Sequence, residues 1–184
     1  MTGMTSSLPR KIRRFGRDRR GVSAVEFAFI APVMIGLYLG CAEISDGVAA
    51  DRKVSLIAGT LANLTAQATT LLPADMTNIF NASGAIMAPY NAANLTMTVT
   101  CLSIDANKNA TVKWSVAQSG TVKTGSFTVP PALDIPNTQL IYSEVAYAYT
   151  PIVGYTISGT LTLSDHMYMS PRITTPVYNG IACT

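Results

Sequence analysis

The stretch Arg19-Arg20-Gly21-Val22-Ser23-Ala24-Val25-Glu26-Phe27-Ala28-Phe29-Ile30-Ala31-Pro32-Val33-Met34-Ile35-Gly36-Leu37-Tyr38-Leu39-Gly40 decides how the rest of the chain is read. A basic cluster runs into one glycine and then into an apolar run. No residue from Phe27 to Ala42 is charged. Taken as helix, residues 22–44 number 23. At about 1.5 Å per residue they extend ~35 Å, enough to cross a hydrocarbon core of ~30 Å. One carboxylate, Glu26, lies near the basic end of the run. A charge deep in lipid costs at least ~2.5 kcal/mol, so Glu26 requires a partner or a function.

The charge distribution agrees with a membrane span. Residues 1–21 hold seven Lys or Arg against one Asp, a net +6. Residues 22–184 hold six against nine Asp or Glu, a net −3, and together these give the formal +3. All the basic excess therefore lies on one side of the apolar run, which puts the N-terminus in the cytoplasm and exports the rest. The same asymmetry argues against nucleic acid as a partner, because the basic cluster abuts a span rather than lining a folded face. At 184 residues, with only 12% charged and 48% hydrophobic, the chain reads as one exported domain plus an anchor.

Helical spacing continues beyond the span. Val54, Ile57, Leu61, Leu64, Ala68 and Leu71 recur at steps of three and four, with Arg52, Lys53, Asn63 and Gln67 between them. This is an amphipathic stripe. Pro73 is expected to end it, since the residue before a proline avoids the helical region. Residues 22–72 thus form one expected helix of ~75 Å, spanning over 22–44 and one-sided over 45–72, with Pro32 as a kink site. A second short helix is expected over 75–88, capped by Asp75 and carrying Met76, Ile79, Phe80, Ile86 and Met87.

From Asn94 the period changes to two. Leu95, Met97, Val99 and Cys101 alternate with Thr96, Thr98 and Thr100, the pattern of a half-buried strand. Asp105-Ala106-Asn107-Lys108-Asn109 is turn chemistry, and Thr111–Val116 around Trp114 returns as a strand. Residues 120–136 are loop-rich, with Pro130, Pro131 and Pro136. Strands resume at 140–150 and 155–168. The expected fold class is α+β, a long N-terminal helix laid on a C-terminal antiparallel meander, with residues 73–184 as the exported domain.

Residues 20–33, Arg-Gly-Val-Ser-Ala-Val-Glu-Phe-Ala-Phe-Ile-Ala-Pro-Val, resemble the TadE/TadG-like minor pseudopilins of the tight-adherence (Tad) type IV pilus. Gly21 followed by Val22 to Phe27 looks like a prepilin-peptidase site. The resemblance extends over about residues 17–45. It returns weakly at Tyr147-Ala148-Tyr149-Thr150-Pro151 and Met169-Ser170-Pro171-Arg172, which look like that family's closing strands. It implies a pilin-like fold, with residues 1–21 as a leader cut off after Gly21. Val22 then becomes the mature N-terminus and Glu26 its fifth residue. It also implies an assembly role for Glu26 and Phe27. The implied partners are prepilin peptidase, other pilin or pseudopilin subunits, an inner-membrane assembly platform and membrane lipid. The implied place is a bacterial inner membrane or the pilus itself, crossed once, with the domain periplasmic or extracellular. The implied work is pilus assembly or surface adhesion, not turnover.

Other readings of the chain compete. Arg13-Arg14-Phe15 superficially fits a twin-arginine signal, although arginine pairs are common in any basic leader. Leu39-Gly40-Cys41 after an apolar run suggests a lipobox that would acylate Cys41. Against that, Tyr38 stands where leucine is usual and Glu26 would lie inside the signal's apolar core. An uncleaved signal anchor tethering a binding or hydrolytic domain explains length and charge equally well, but leaves Gly21 and Glu26 unexplained. His166, the single histidine, adjoins Asp165. A nucleophile–base pair needs only proximity in space, yet the chain has no Gly-x-Ser-x-Gly elbow, and a strand-edge histidine is the simpler reading. No metal-ligand spacing or phosphate loop is present, so neither a cofactor nor a metal is expected. Asn63, Asn81, Asn94 and Asn109 each head an Asn-x-Ser/Thr triplet, which chance explains in so Asn- and Thr-rich a chain. Tyr142, Tyr147, Tyr149 and Tyr155 read as sheet residues, Tyr147 and Tyr149 on one face. Cys41 is expected to be a small buried thiol. Cys101 and Cys183 both fall in the exported part, where oxidation is permitted, so they form the candidate disulfide. Their distance in space is not written in the sequence, and bridged and free thiols both stand.

Overall fold

The computed structural model describes residues 20–151 and 159–184; the leader up to Arg19, the candidate Tyr155 and the first residues of the strand expected from 155 lie outside them. Helix α1 spans Arg20–Gln67. It runs through Pro32 as a single element. A proline is tolerated inside a membrane helix where local backbone adjustment or a neighbouring group satisfies the carbonyl it leaves free.

α1 stops at Gln67, five residues earlier than the stripe predicts. Leu71 is buried as expected, but as a strand residue. Thr70–Leu71 form β1, parallel to β7, Val177–Tyr178, which is antiparallel to β8, Ile181–Ala182. Two causes combine. Thr69 and Thr70 are β-branched and poor helix formers. The C-terminal segment also supplies competing hydrogen bonds: the Arg172 amide donates to the Ala66 carbonyl (2.9 Å), Val177 to Thr69 (3.0 Å) and Asn179 to Leu71 (2.9 Å).

Pro73 therefore opens a helix rather than closing one. Helix α2 is Pro73–Gly84. Proline at the first position forfeits an N–H that would be unpaired anyway. Asp75 sits inside the first turn rather than at the cap. Its Oδ2 accepts from the Leu72 amide at 2.9 Å, holding the entry of the chain. Met76 and Phe80 point into the core, and a 3-10 turn at Ala85–Met87 buries Met87.

The main sheet comprises β2 (Leu95–Ile104), β3 (Ala110–Gln118), β4 (Ser126–Phe127), β5 (Thr138–Tyr149) and β6 (Leu161–Met169). Their order is β4-β3-β2-β5-β6, all neighbours antiparallel. This is not the simple meander expected from the sequence, because β5 returns beside β2 instead of β4. The β2–β3 turn is held by Asp105, whose Oδ1 accepts from the amides of Asn107 and Asn109, both at 2.8 Å.

β2 is buried on both faces, not one. Leu95, Met97, Val99 and Cys101 face the helix side, while Thr98, Thr100, Leu102 and Ile104 are covered from the other. The loop-rich segment supplies that cover. Phe127, Val129 and Leu133 pack with Leu102, Ile104, Leu140 and Tyr142 in a second small core. The threonine row is satisfied there by local partners: Thr100 and Ser115 hydroxyls share a 2.8 Å bond, and Ser115 Oγ accepts from the Lys123 amide at 3.0 Å.

On the opposite face α1 lies across β5 and β6. Ala50, Val54, Ile57, Ala58, Leu61, Ala62 and Ala66 are fully buried there. The Ser143 hydroxyl donates to the Ala58 carbonyl at 2.7 Å, tying sheet to helix. The C-terminal tail closes over the far end of the sheet. Trp114 Nε1 donates to the Pro176 carbonyl (3.4 Å), its ring meets Tyr178 at 5.5 Å, and Cys183 is bonded to Cys101, with Cα atoms 5.9 Å apart. That bond closes a loop between positions 82 apart. The chain-entropy relation assigns such a loop about 4 kcal/mol. The double variant Cys101→Ser, Cys183→Ser is therefore expected to unfold at markedly lower urea; an unchanged midpoint would contradict this.

Candidate functional site

The site candidates lie on the part of α1 that the domain leaves bare. Burial on the helix begins at Glu43, which is only 4% exposed, and none of residues 21–42 is buried. Val22, Phe27, Phe29, Ile30, Met34, Leu37 and Tyr38 are all more than half exposed, Phe29 to 75%. Among the described residues, α1 is the one helix long and apolar enough to cross a membrane. Cys41 is exposed rather than buried.

Glu26 projects from this bare surface and has no hydrogen-bond or ion-pair partner among the described residues. It stands one helical turn from Val22, the spacing at which side chains on a helix meet. Gly21 is informative for what it lacks. A Cβ built on it would meet nothing within 4 Å, and its backbone needs no left-handed conformation. Neither packing nor the turn chemistry of the fold asks for glycine there.

The remaining candidates are placed by the sheet. Asp165 and His166 are successive residues of β6, so their side chains take opposite faces. Asp165 Oδ1 accepts from the His166 amide (2.8 Å), and the exposed imidazole stands against Tyr142 and Tyr168, with centroids 5.8 and 5.7 Å away. A relay through Asp165 to His166 is not what this geometry builds. Tyr142 is nearly buried, and burial, with Glu144 and Tyr168 nearby, pushes its hydroxyl up to about 12 from 10.0. The fold thus prefers the neutral phenol. Its contribution is whole below pH 10 and is lost as pH rises from 10 through about 12. Urea midpoints that decline across that alkaline window are the expected result; flat midpoints would contradict it.

Tyr147 and Tyr149 share the helix-facing side and are 5% and 4% exposed. Both pack on Tyr90, with centroids 6.4 Å away. The Tyr90 hydroxyl donates to the Asp46 carbonyl at 3.1 Å. Burial raises the Tyr149 hydroxyl's pKa, and Asp46, Tyr90 and Glu43 add to the rise. The sequence reading missed Glu43 and Tyr90. Glu43 was hidden because it closes an apolar run, and Tyr90 because its partners are 44 and more positions away.

Residues 21–55 match the family described as TadE-like protein, which covers the stretch whose motifs resemble the Tad pseudopilins. The match is consistent with a Tad pilus-associated protein. No curated protein and no solved structure matches the chain.

Proposed function

We propose that this chain is a minor pilin-like subunit of a Tad-type pilus, cut after Gly21 by a prepilin peptidase and carried into assembly by the helix that starts at Val22. The observation that supports it most is the bare half of α1. It presents some twenty apolar residues, one carboxylate a turn from the new N-terminus, and a glycine the fold does not use. A free-standing tether explains the apolar length but not Glu26 or Gly21. The pairing of an apolar helix with a small sheet domain suits a subunit whose helices pack together while the domains face outward.

In this reading the leader lies in the cytoplasm, residues 22–44 cross the inner membrane once, and the sheet domain is periplasmic until assembly. The partners are the peptidase, the assembly platform and other pilin subunits. A photo-crosslinking residue in place of Phe27, 69% exposed on the bare helix, tests the proposal. Crosslinks to other pilin subunits in pilus-producing cells are expected. Crosslinks to lipid alone would favour a simple tether.

A further inference from the structure

We propose that the turn Ala88–Tyr90, backed by Tyr147 and Tyr149, rests on the lipid headgroup layer of the bilayer that α1 crosses. This rests on the membrane-anchoring part of the reading above. The argument begins with level. Within the crossing of residues 22–44 the part before Glu43, Val22 to Ala42, is 21 residues and ~31 Å of helix, which matches a hydrocarbon core of ~30 Å and leaves Glu43 and Ile44 at its edge. Asp46 lies four residues beyond Ala42, ~6 Å past the core boundary. The headgroup layer on each side is about 5–8 Å thick. The Tyr90 hydroxyl, bonded to the Asp46 carbonyl, is therefore at headgroup height.

Attachment is the second point. The turn is strapped to α1 directly by Tyr90 to Asp46 (3.1 Å), and the chain leading into it is held farther from the core by Lys53 Nζ on the Ile86 carbonyl (3.0 Å). It cannot ride away from the helix without breaking both bonds. Ala88 and Pro89 are exposed and carry no charge, and Tyr90 is partly exposed. Tyrosine combines an apolar ring with a wet hydroxyl, the character that concentrates it at membrane interfaces. The exposed charges beside the strap are mixed, Asp46 and Asp51 with Arg52, which suits a surface of both phosphate and ammonium headgroups.

Trp114, the single tryptophan, provides an internal reference. It pairs with Cys101, six residues along β2 from Leu95, which pairs with Tyr147 at the rim. That separation is ~20 Å along the strand. The full chain is reconstituted in vesicles of phosphatidylethanolamine and phosphatidylglycerol whose acyl chains are brominated near the headgroup end. The indole emission added by Tyr90→Trp, and separately by Ala88→Trp, is compared with the wild type. An indole seated in the interface is expected to lose roughly half its emission, while Trp114 keeps its own. Ala88→Trp adds its probe on an exposed residue and so guards against a Tyr90 variant that fails to fold. Tyr38→Trp reports on the span itself. Quenching at position 38 and at either rim position supports the proposal. Quenching at 38 with none at 88 or 90 overturns the rim contact and leaves the anchor standing. No quenching at 38 overturns both.

Discussion

Glu26→Gln is expected to yield a processed, membrane-held protein that fails to enter the fibre or its initiation complex. Cleavage after Gly21 would give Val22 a free α-amino group, which is positive at neutral pH because its ordinary pKa is about 7.7–8.0. That charge and the Glu26 carboxylate must then be accommodated among apolar helices. Leaving one charge unpaired in such surroundings costs at least ~2.5 kcal/mol, roughly a seventyfold change in an equilibrium. Pairing the two offsets much of that. Val22 and Glu26 are four apart on one helix, so they can pair within a subunit. In that case the glutamine variant is incorporated normally and is only slightly less stable. Pairing across subunits instead sets the axial register of one helix against the next, and incorporation is lost. The bare surroundings of Glu26 leave it open to a neighbour, and we expect loss. Co-purification or crosslinking with the major subunit reads the difference. Normal incorporation of the variant would remove Glu26 from the mechanism.

Gly21→Leu is expected to accumulate unprocessed. The substitution is clean because the fold has no use for the glycine: no atom lies within 4 Å of the added Cβ, and no positive φ is required. Within a helix, leucine is the better former by about 0.8 kcal/mol, so folding is not the step at risk. What leucine obstructs is the approach of another protein's active site to the backbone beside Arg20, where only glycine leaves the chain bare. The measurement is gel mobility in cells that contain the peptidase. Wild type should run as the shorter form and Gly21→Leu as the longer one. Identical mobility of the two would contradict cleavage at this position.

The sequence made some of the molecule legible and left other parts closed, and the physical reasons differ. The long helix was readable because its signals are local: an uncharged run, then Val54, Ile57 and Leu61 at helical spacing, all fully buried on the sheet. Its C-terminal end was not, because α1 yields to a parallel pairing of Thr70–Leu71 with Val177–Tyr178 more than a hundred positions away. Pro73 marks a boundary, but it opens the second helix and does not close the first. A proline both stops the helix before it and suits the first turn of the next. Alternation over Leu95–Cys101 located β2 but suggested one wet face. Threonine is polar in composition, yet Thr100 is fully buried, its hydroxyl satisfied by Ser115. The placement of β5 beside β2 has no local signal at all. For the candidate site, Gly21 and Glu26 stood out because each breaks the pattern around it. Glu43, whose burial by the domain marks where the bare helix ends, continued a pattern and passed unseen.

The central claim, that Val22 is the first residue of the working protein, is tested most directly by the intact mass and N-terminal residue of the chain recovered from membranes of pilus-producing cells. The account predicts a chain that begins at Val22 and lacks residues 1–21. A chain that still begins at Met1, or one that begins at a lipid-modified Cys41, would contradict it.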